Sequence, residues 1–375
     1  MIQLFYFFYF QSIGIYMPFV PAYFRAQGLS GREISAIFAM QPLLAVVVPL
    51  GWSWLADRSG RHDRVLRLVI GGAWLGLTPL LFAGHFLPIL LSWACYAVFG
   101  VGVGGLADAL AVARVRAGAV YGRLRLWGSV GFVAAAIGVG GAVELFEAGQ
   151  PGRIVPLAMW LSLAGAFAAS LRLSGTGEAH AKPRAADLRE LMKDRRLLLL
   201  LLIGALHWMC LAPYNVFFGV FLRDLGLRPI SWGLAYATGV VAEIAVMLVF
   251  HRLERRFTLA ALLAAAFAAS ALRWLAIGTV SAPAILIALQ LLHGMTFGMF
   301  WSAAIALAAR IVPPPLRATG QALLVMSINL GGAFGNALTG RLYDASGSRT
   351  MFLLAAAGEL APLLLVLRAR ARLRA

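Results

Sequence analysis

The main pattern in the chain is a series of long apolar segments separated by short polar ones. It repeats about every 30 residues, as a bilayer-crossing helix of about 20 residues plus a loop requires. The pattern predicts twelve spans, at roughly 2–24, 34–56, 66–84, 87–112, 124–146, 155–172, 197–221, 231–250, 258–278, 283–308, 318–340 and 350–367. Only helices and closed barrels span lipid, and these runs lack the alternation of barrel strands. We therefore predict an all-α integral membrane protein.

Composition supports the same class of protein. Of the 375 residues, 61% are hydrophobic and 13% are charged, which excludes a water-soluble domain of this size. We expect the first span to be a retained helix, since "MIQLFYFFYF" has no basic leader. The two cysteines lie inside predicted spans, and we find no phosphate loop, metal-ligand cluster or catalytic triad. We expect no cofactor, no metal and no enzymatic activity.

The distribution of charge predicts the topology. A formal net charge of +17 is compatible with a nucleic-acid partner, but the basic residues do not form a single tract. Most of the 32 Lys and Arg lie in the segments after the even-numbered spans and in the C-terminal tail, which the positive-inside rule assigns to the cytoplasm. We expect no nucleic-acid partner, two cytoplasmic termini and a multi-pass protein of a bacterial inner membrane.

One long polar stretch divides the chain. Residues 172–196, "RLSGTGEAHAKPRAADLRELMKDRR", lie between the sixth and seventh spans. They predict a cytoplasmic linker between an N-terminal six-helix bundle (1–171) and a C-terminal one (197–375). Such halves in transporters commonly hold the solute at the midplane between them. A regulatory role of the linker is the alternative to a solvated tether.

The loop after the second span carries a motif. It reads "SWLADRSGRHDR" from Ser53 to Arg64 and resembles the major facilitator superfamily motif G-x-L-A-D-R-x-G-R-K, with serine in place of the first glycine. The resemblance implies the major facilitator fold and a loop that stabilises one state of alternating access. Its residues here are Asp57, Arg58, Gly60 and Arg61. The alternative is that these charges only set topology.

The resemblance extends to the branch that contains lactose permease and the phenylpropionate transporter. That branch has a carboxylate late in helix four and G-R-x-R at the start of helix five, which correspond to Asp108 and to Arg125 in "YGRLRLWG". In the permease this pair binds sugar beside an aromatic residue, here Phe132. The alternative is that Arg123 and Arg125 are cytoplasmic anchors. An intramembrane carboxylate is costly unless it pairs or faces water, which favours a solute site at Asp108 and Arg125.

The second half carries isolated polar groups in apolar helices. Glu243, Arg273 and His293 match, by their surrounding segments, permease positions that serve sugar binding and proton coupling. An acid, an arginine and a histidine on adjoining helices suit a protonation switch. The alternatives are a structural ion pair and a core histidine. By the same resemblance, Tyr214 and Asn215 are candidates for solute binding.

Departures from the permease pattern affect both the predicted proton coupling and the predicted binding of sugar. Thr296 replaces the glutamate that carries the proton, and Val246 replaces an asparagine that contacts sugar. Together with Phe132 and Phe218, Val246 makes the predicted site more apolar. Weaker candidates are His207, Trp208, Tyr6, Tyr9 and Glu359, the last of which has either a functional or a packing role.

These observations predict a proton-coupled symporter that works by alternating access. The expected solute is an aromatic or other organic acid, as in the phenylpropionate branch. A sugar or nucleoside symporter is the alternative, and a non-transporting sensor or a lipid-moving protein is a third. The expected partners are a small-molecule solute, protons and the lipid bilayer, and we expect a monomer.

Overall fold

The computed structural model describes residues 1–116, 121–175, 189–371 and 373. Within these ranges the regular structure is entirely helical. The first six helices are α1 (Ile2–Ala26), α2 (Gly31–Ser59), α3 (His62–Leu81), α4 (Phe86–Arg116), α5 (Tyr121–Phe146) and α6 (Ile154–Ser170). Of the predicted linker, 176–188 lies outside the described residues.

The second set of helices is less regular. It consists of α7 (Arg195–Asp224), α8 (Pro229–Arg256), α9 (Leu259–Thr279) and α10 (Pro283–Ile311), followed by the helical runs Arg317–Gly358 and Leu360–Ala369. Gly347, with φ +78°, is not helical, so the runs form α11 (317–346) and α12 (348–369). In the described ranges the twelve predicted spans thus correspond to twelve helices, and the predicted all-α fold class is confirmed.

Helix ends are formed by local sequence signals. Ser30 and Glu33 make a capping box at the start of α2. Asp194 caps α7 by accepting a hydrogen bond from the backbone N–H of Arg196 at 2.8 Å. The Arg196 guanidinium also bonds this carboxylate and lowers its pKa. The starts of α2 and α7 are therefore defined by the local sequence.

The chain forms two compact units. The first consists of Met1–His180 with Val216–Ala237, and the second of Ala181–Asn215 with Thr238–Ala375. The end of α7 and the start of α8 therefore pack with the helices of the first half, which the hydropathy pattern does not indicate. The predicted division at 172–196 stays a prediction.

Glycines bring helix backbones together in the first unit. A Cβ on Gly14 of α1 would lie 2.4 Å from the carbonyl oxygen of Phe132, and one on Gly131 of α5 would lie 2.1 Å from that of Phe7. A Cβ on Gly233 of α8 would lie 2.0 Å from the carbonyl oxygen of Ala136. Such contacts through small residues are typical of membrane helices. They hold α5 against both α1 and the start of α8.

Candidate functional site

The first cluster of polar groups joins α1, α4 and α5. The hydroxyl of Tyr6 donates to Oδ1 of Asp108 at 2.6 Å, and Nη1 of Arg125 lies 3.6 Å from the same oxygen. Tyr6 is buried, whereas the side chains of Asp108 and Arg125 are 39% and 40% exposed. The side chains of the ion pair are therefore only partly covered by the protein.

Two aromatic rings of α1 lie against the arginine. The guanidinium carbon of Arg125 lies 4.5 Å from the ring centroid of Phe10 and 5.5 Å from that of Tyr6. A guanidinium over an aromatic face is stabilised by the ring quadrupole. The sequence analysis gives Tyr6 only as a weaker candidate. The feature that could have identified it is the aromatic run "FYFFYF", which contributes rings beside the charged pair. We call the rings of Tyr6 and Phe10 the aromatic wall of α1. It places flat apolar surface beside a cation and an acid.

Phe132, predicted to be a platform for the solute, lies two turns after Arg125 on α5. Its side chain is buried, and its backbone forms the contact with Gly14. The residue therefore contributes to the packing of α5 on α1. Its role toward solute stays a prediction.

The second cluster is centred on Arg273, which is fully buried in α9. Its Nη1 lies 3.0 Å from Nδ1 of His293 and donates to Oγ1 of Thr296 at 2.9 Å, while Nη2 donates to Oε1 of Gln290. Because a guanidinium only donates, Nδ1 of His293 accepts, so a neutral ring carries its proton on Nε2. That Nε2 lies 3.9 Å from Oε2 of Glu243. The structure thus brings the three predicted residues together, with the histidine between the acid and the arginine.

Two aromatic rings lie against the buried cation, and they also contact each other, with 5.7 Å between their centroids. The guanidinium carbon lies 4.3 Å from the ring centroid of Tyr214 and 4.7 Å from that of Trp274. The ring of Tyr214 also contacts that of His293, at 5.2 Å between centroids. Tyr214, expected from the resemblance to contact solute, lies in the cluster of Arg273, and the next residue, Asn215, is half-buried.

Irregular helix geometry positions these side chains. Residues Pro213–Phe217 of α7 and Gly294–Met299 of α10 are π-helical, and Leu289–Leu292 forms a 3₁₀ turn just before His293. Such segments often occur at functional sites. A Cβ on Gly294 would lie 2.5 Å from the carbonyl oxygen of Ala242, so α8 and α10 approach closely and bring Glu243 to His293. Hydropathy does not predict this geometry.

A third group of polar residues lies on α7 and α12. Nδ1 of His207 is 2.9 Å from Oε1 of Glu359, and both side chains are fully buried. Nε2 of His207 is 2.9 Å from the carbonyl oxygen of Thr296. The sequence suggested both residues only as weak candidates. The sequence shows that an acid and a histidine lie in apolar helices. It does not show that the two, 152 positions apart, contact each other.

The loop between α2 and α3 carries the motif residues. Gly60 adopts φ +62°, and its N–H donates to the carbonyl oxygen of Asp57. The Oδ1 of Asp57 lies 3.1 Å from Nε2 of His62. Arg58 lies over the ring of Trp54, and Arg61 pairs with Asp63 at 3.4 Å. The motif thus forms a tight turn whose acid is anchored to α3.

The start of α3, which follows this loop, is bonded to the end of α6. Arg67 pairs with Asp63 at 3.2 Å and donates to the carbonyl oxygens of Ser170 and Leu173 at the end of α6.

In the part of the chain described by the structure, no group of three or more His, Cys, Asp or Glu side chains is placed to hold a metal ion.

Buried and half-buried charges in a bundle of apolar helices define a class of protein, since ionisable residues within the membrane mark solute and ion pathways. The model of the MFS_1 like family matches residues 1–354. The chain therefore belongs to this family and is a multi-pass transporter of the major facilitator superfamily.

Curated relatives are transporters whose names refer to different solutes. The chain is 29% identical to the maltose permease of Geobacillus stearothermophilus, over 85% of this chain and 81% of the relative. It is 27% identical to the probable 3-phenylpropionic acid transporter of Escherichia coli, with 78% and 77% covered. It is 25% identical to the putative nucleoside transporter YegT of E. coli, with 86% and 79% covered.

Solved structures show the same fold. The nucleoside transporter NupG matches with a TM-score of 0.85 at 17% identity, over 98% of this chain and 97% of that one. A bacterial homolog of the lysosomal transporter Spinster matches with a TM-score of 0.78 at 15% identity, over 100% and 97%.

Proposed function

We propose that this protein is a proton-coupled symporter that moves a small organic solute by alternating access. It acts in a bacterial inner membrane as a monomer with both termini in the cytoplasm, and two six-helix bundles joined by residues 172–196 form its moving parts. The family membership supports transport, and the two charged clusters support separate sites for solute and proton. The loop with Asp57, Arg58, Gly60 and Arg61 stabilises one of the alternating states.

The solute site is built on Asp108 and Arg125. The observation that carries this proposal is the partly exposed ion pair beside the aromatic wall of α1. At 3.6 Å, the contact with Asp108 is too long for a hydrogen bond, so Nη1 of Arg125 retains donor capacity. A carboxylate on a solute would bind that guanidinium, and an aryl ring would pack on Phe10. An aromatic acid is therefore the first candidate, with Phe132, Tyr214 and Asn215 as further solute contacts.

A sugar or nucleoside is the second candidate, and a specific observation favours it. Asp108 is a half-exposed acceptor next to a half-exposed donor, a combination that binds vicinal hydroxyls through both partners at once. The ion pair is also neutral overall, so it does not require an anionic solute. Two relatives, whose names refer to maltose and to nucleosides, support this second candidate.

Coupling is assigned to Glu243, His293 and Arg273. The carboxylate of Glu243 lies near a ring nitrogen whose partner on the other side is a fixed cation. Protonation of Glu243 removes its attraction to the Arg273 side of the cluster. A change of distance between α8 and α9 would therefore change the proton affinity of Glu243, which links proton binding to conformation.

The test is ligand binding by purified protein with three probes, 3-phenylpropionate, maltose and uridine, each measured by calorimetry. We expect one probe to bind wild type and to lose most of its affinity in Asp108→Asn and Arg125→Ala. Glu190→Gln and Arg255→Ala, at exposed positions, are the matched controls. Unchanged affinity in both site variants would reduce the ion pair to a structural one.

A further inference from the structure

In the part of the chain that the structure describes, His207 and Glu359 form a fully buried ionisable pair that the proposed solute and coupling sites do not use. Both carboxylate oxygens of Glu359 lie within 3.0 Å of Nδ1 of His207. Nε1 of Trp274 also lies near the acid, 3.4 Å from Oε1. Neither side chain of the pair is exposed. The number and position of the protons that two buried titratable side chains share must therefore be worked out from their contacts.

Hydrogen-bond chemistry gives this number and position. Nε2 of His207 faces the carbonyl oxygen of Thr296 at 2.9 Å, and a carbonyl only accepts, so Nε2 carries a hydrogen. Nδ1 faces carboxylate oxygens. If it were bare and Glu359 ionised, a lone pair would face a carboxylate at 2.9 Å, which is repulsive. A second proton therefore lies between Nδ1 and the carboxylate, on one or the other. In either arrangement the pair is neutral overall.

The surroundings connect this pair to the Arg273 cluster. Thr296 accepts from Arg273 through its hydroxyl and from His207 through its carbonyl. Trp274, which stacks on Arg273, also reaches Glu359. The other titratable groups nearby are His293 and Tyr214 beyond Arg273, and the thiol of Cys210, which lies by Gly358. Three uncharged residues of α11, Gly331, Gly332 and Gly335, also lie against this part of α7.

We propose that His207 and Glu359 form a second proton-binding site, which holds one shared proton in this conformation and releases it when α7 and α12 move apart. On release, the N–H or O–H bond breaks and the proton passes to water. Neutral His207 and ionised Glu359 remain, with net charge −1. Burial makes that state costly unless water enters or Arg273 moves closer. The transport role of the site rests on the proposed proton symport.

The proton itself can be counted without a solute. Wild type and Glu359→Gln are unfolded in unbuffered dodecyl sulfate at pH 8, and proton release is measured with a glass electrode. At that pH an unfolded histidine is neutral and a glutamate is ionised. Wild type should therefore release one more proton per molecule than Glu359→Gln, whose amide donates to Nδ1 of a neutral ring. Equal release would overturn the proposal.

A second variant covers the case in which Glu359→Gln does not fold. The double replacement His207→Leu with Glu359→Met removes both charges together, and replacing a buried ion pair by apolar residues is often neutral for stability. It should also release one proton fewer than wild type. Circular dichroism before unfolding confirms that each variant is folded, and Glu190→Gln should release as many protons as wild type.

Transport then tests the role of the site. In proteoliposomes with the probe that binds, a pH difference of one unit supports up to about tenfold accumulation at one proton per solute. We expect Glu359→Gln to lose this accumulation while exchange of labelled for unlabelled solute continues, since exchange needs no net proton movement. Accumulation like that of wild type would exclude the pair from the transport cycle. If wild type itself ignores the gradient, proton symport fails, while the proton count still decides whether the site exists.

Discussion

Nη1 of Arg273 lies 3.0 Å from Nδ1 of His293, so a side chain that can only donate is bonded to a ring nitrogen that must accept. This contact determines the tautomer of the histidine and directs its other nitrogen toward Glu243. Arg273 also donates to Thr296 and Gln290, and its planar group lies against the rings of Tyr214 and Trp274. The arrangement depends on the shape of a guanidinium as much as on its charge.

Arg273→Lys should therefore damage the cluster although it keeps the charge. An ammonium cannot make the planar fork of hydrogen bonds or stack on Tyr214 in the same way. We expect a loss of about 2–3 kcal/mol, the scale of hydrogen bonds to charged groups, measured as a lower thermal midpoint in detergent. Arg255→Lys, at an exposed position, is the control. Equal midpoints for wild type and Arg273→Lys would show that charge alone is enough.

Glu243→Gln should uncouple transport from the pH gradient. The amide is neutral at every pH and cannot exchange a proton, while its size matches the acid. Uptake into proteoliposomes with an imposed gradient is the measurement, with Glu190→Gln as the carboxylate control. Uphill accumulation by Glu243→Gln equal to that of wild type would direct attention to Glu359 or Asp108 as the proton carrier.

Tyr6→Phe should weaken solute binding by about tenfold, or about 1.4 kcal/mol, because Asp108 loses the hydroxyl that orients it at 2.6 Å. Replacement of a phenol by a phenyl ring leaves the aromatic wall almost unchanged. The matched control is Tyr16→Phe on the same helix, whose ring stacks on Trp93 and Phe38. Calorimetry with the probe that binds wild type is the readout. Equal affinity would show that Tyr6 does not position Asp108.

Gly233→Ala should destabilise the protein, since the new methyl group would lie 2.0 Å from the carbonyl oxygen of Ala136. Overpacking of this kind costs about 1–3 kcal/mol, which exceeds the gain in helix propensity of about 1 kcal/mol. Gly138→Ala on α5 is the control, because its Cβ would meet no atom within 4 Å. Thermal unfolding should separate the two variants. A Gly233→Ala midpoint at or above that of Gly138→Ala would show that α8 shifts without cost.

Thiol labelling tests the orientation. In a variant without Cys95 and Cys210, a cysteine at position 179, outside the described residues, should not react with an impermeant reagent in intact cells. A cysteine at Gln150, exposed between α5 and α6, should react. The opposite labelling pattern would invert the topology inferred from the basic loops.

The sequence predicted the helices well because length and hydropathy determine whether a segment spans a bilayer. It also identified Asp108, Arg125, Glu243, Arg273 and His293, since isolated charges in apolar helices are conspicuous. The resemblance also indicated that Asp108 pairs with Arg125 and that Glu243, Arg273 and His293 adjoin, but nothing in the sequence indicated a partner for His207. The contact of His207 with Glu359 depends on how α7 and α12 pack, and the π-helical turn around Thr296 depends on tertiary contacts that no local pattern records.

The backbone contacts through Gly14, Gly131 and Gly233 have a practical consequence for spectroscopy. Probes that report motion must be attached where a bulky group does not itself alter the motion, and the faces of α5 against α1 and α8 leave no such room. Gly51 on α2 and Gly138 on α5 have open space at the position of a Cβ. A spin-label pair at these two positions would follow α2 relative to α5 during turnover without loosening the contacts that hold α5.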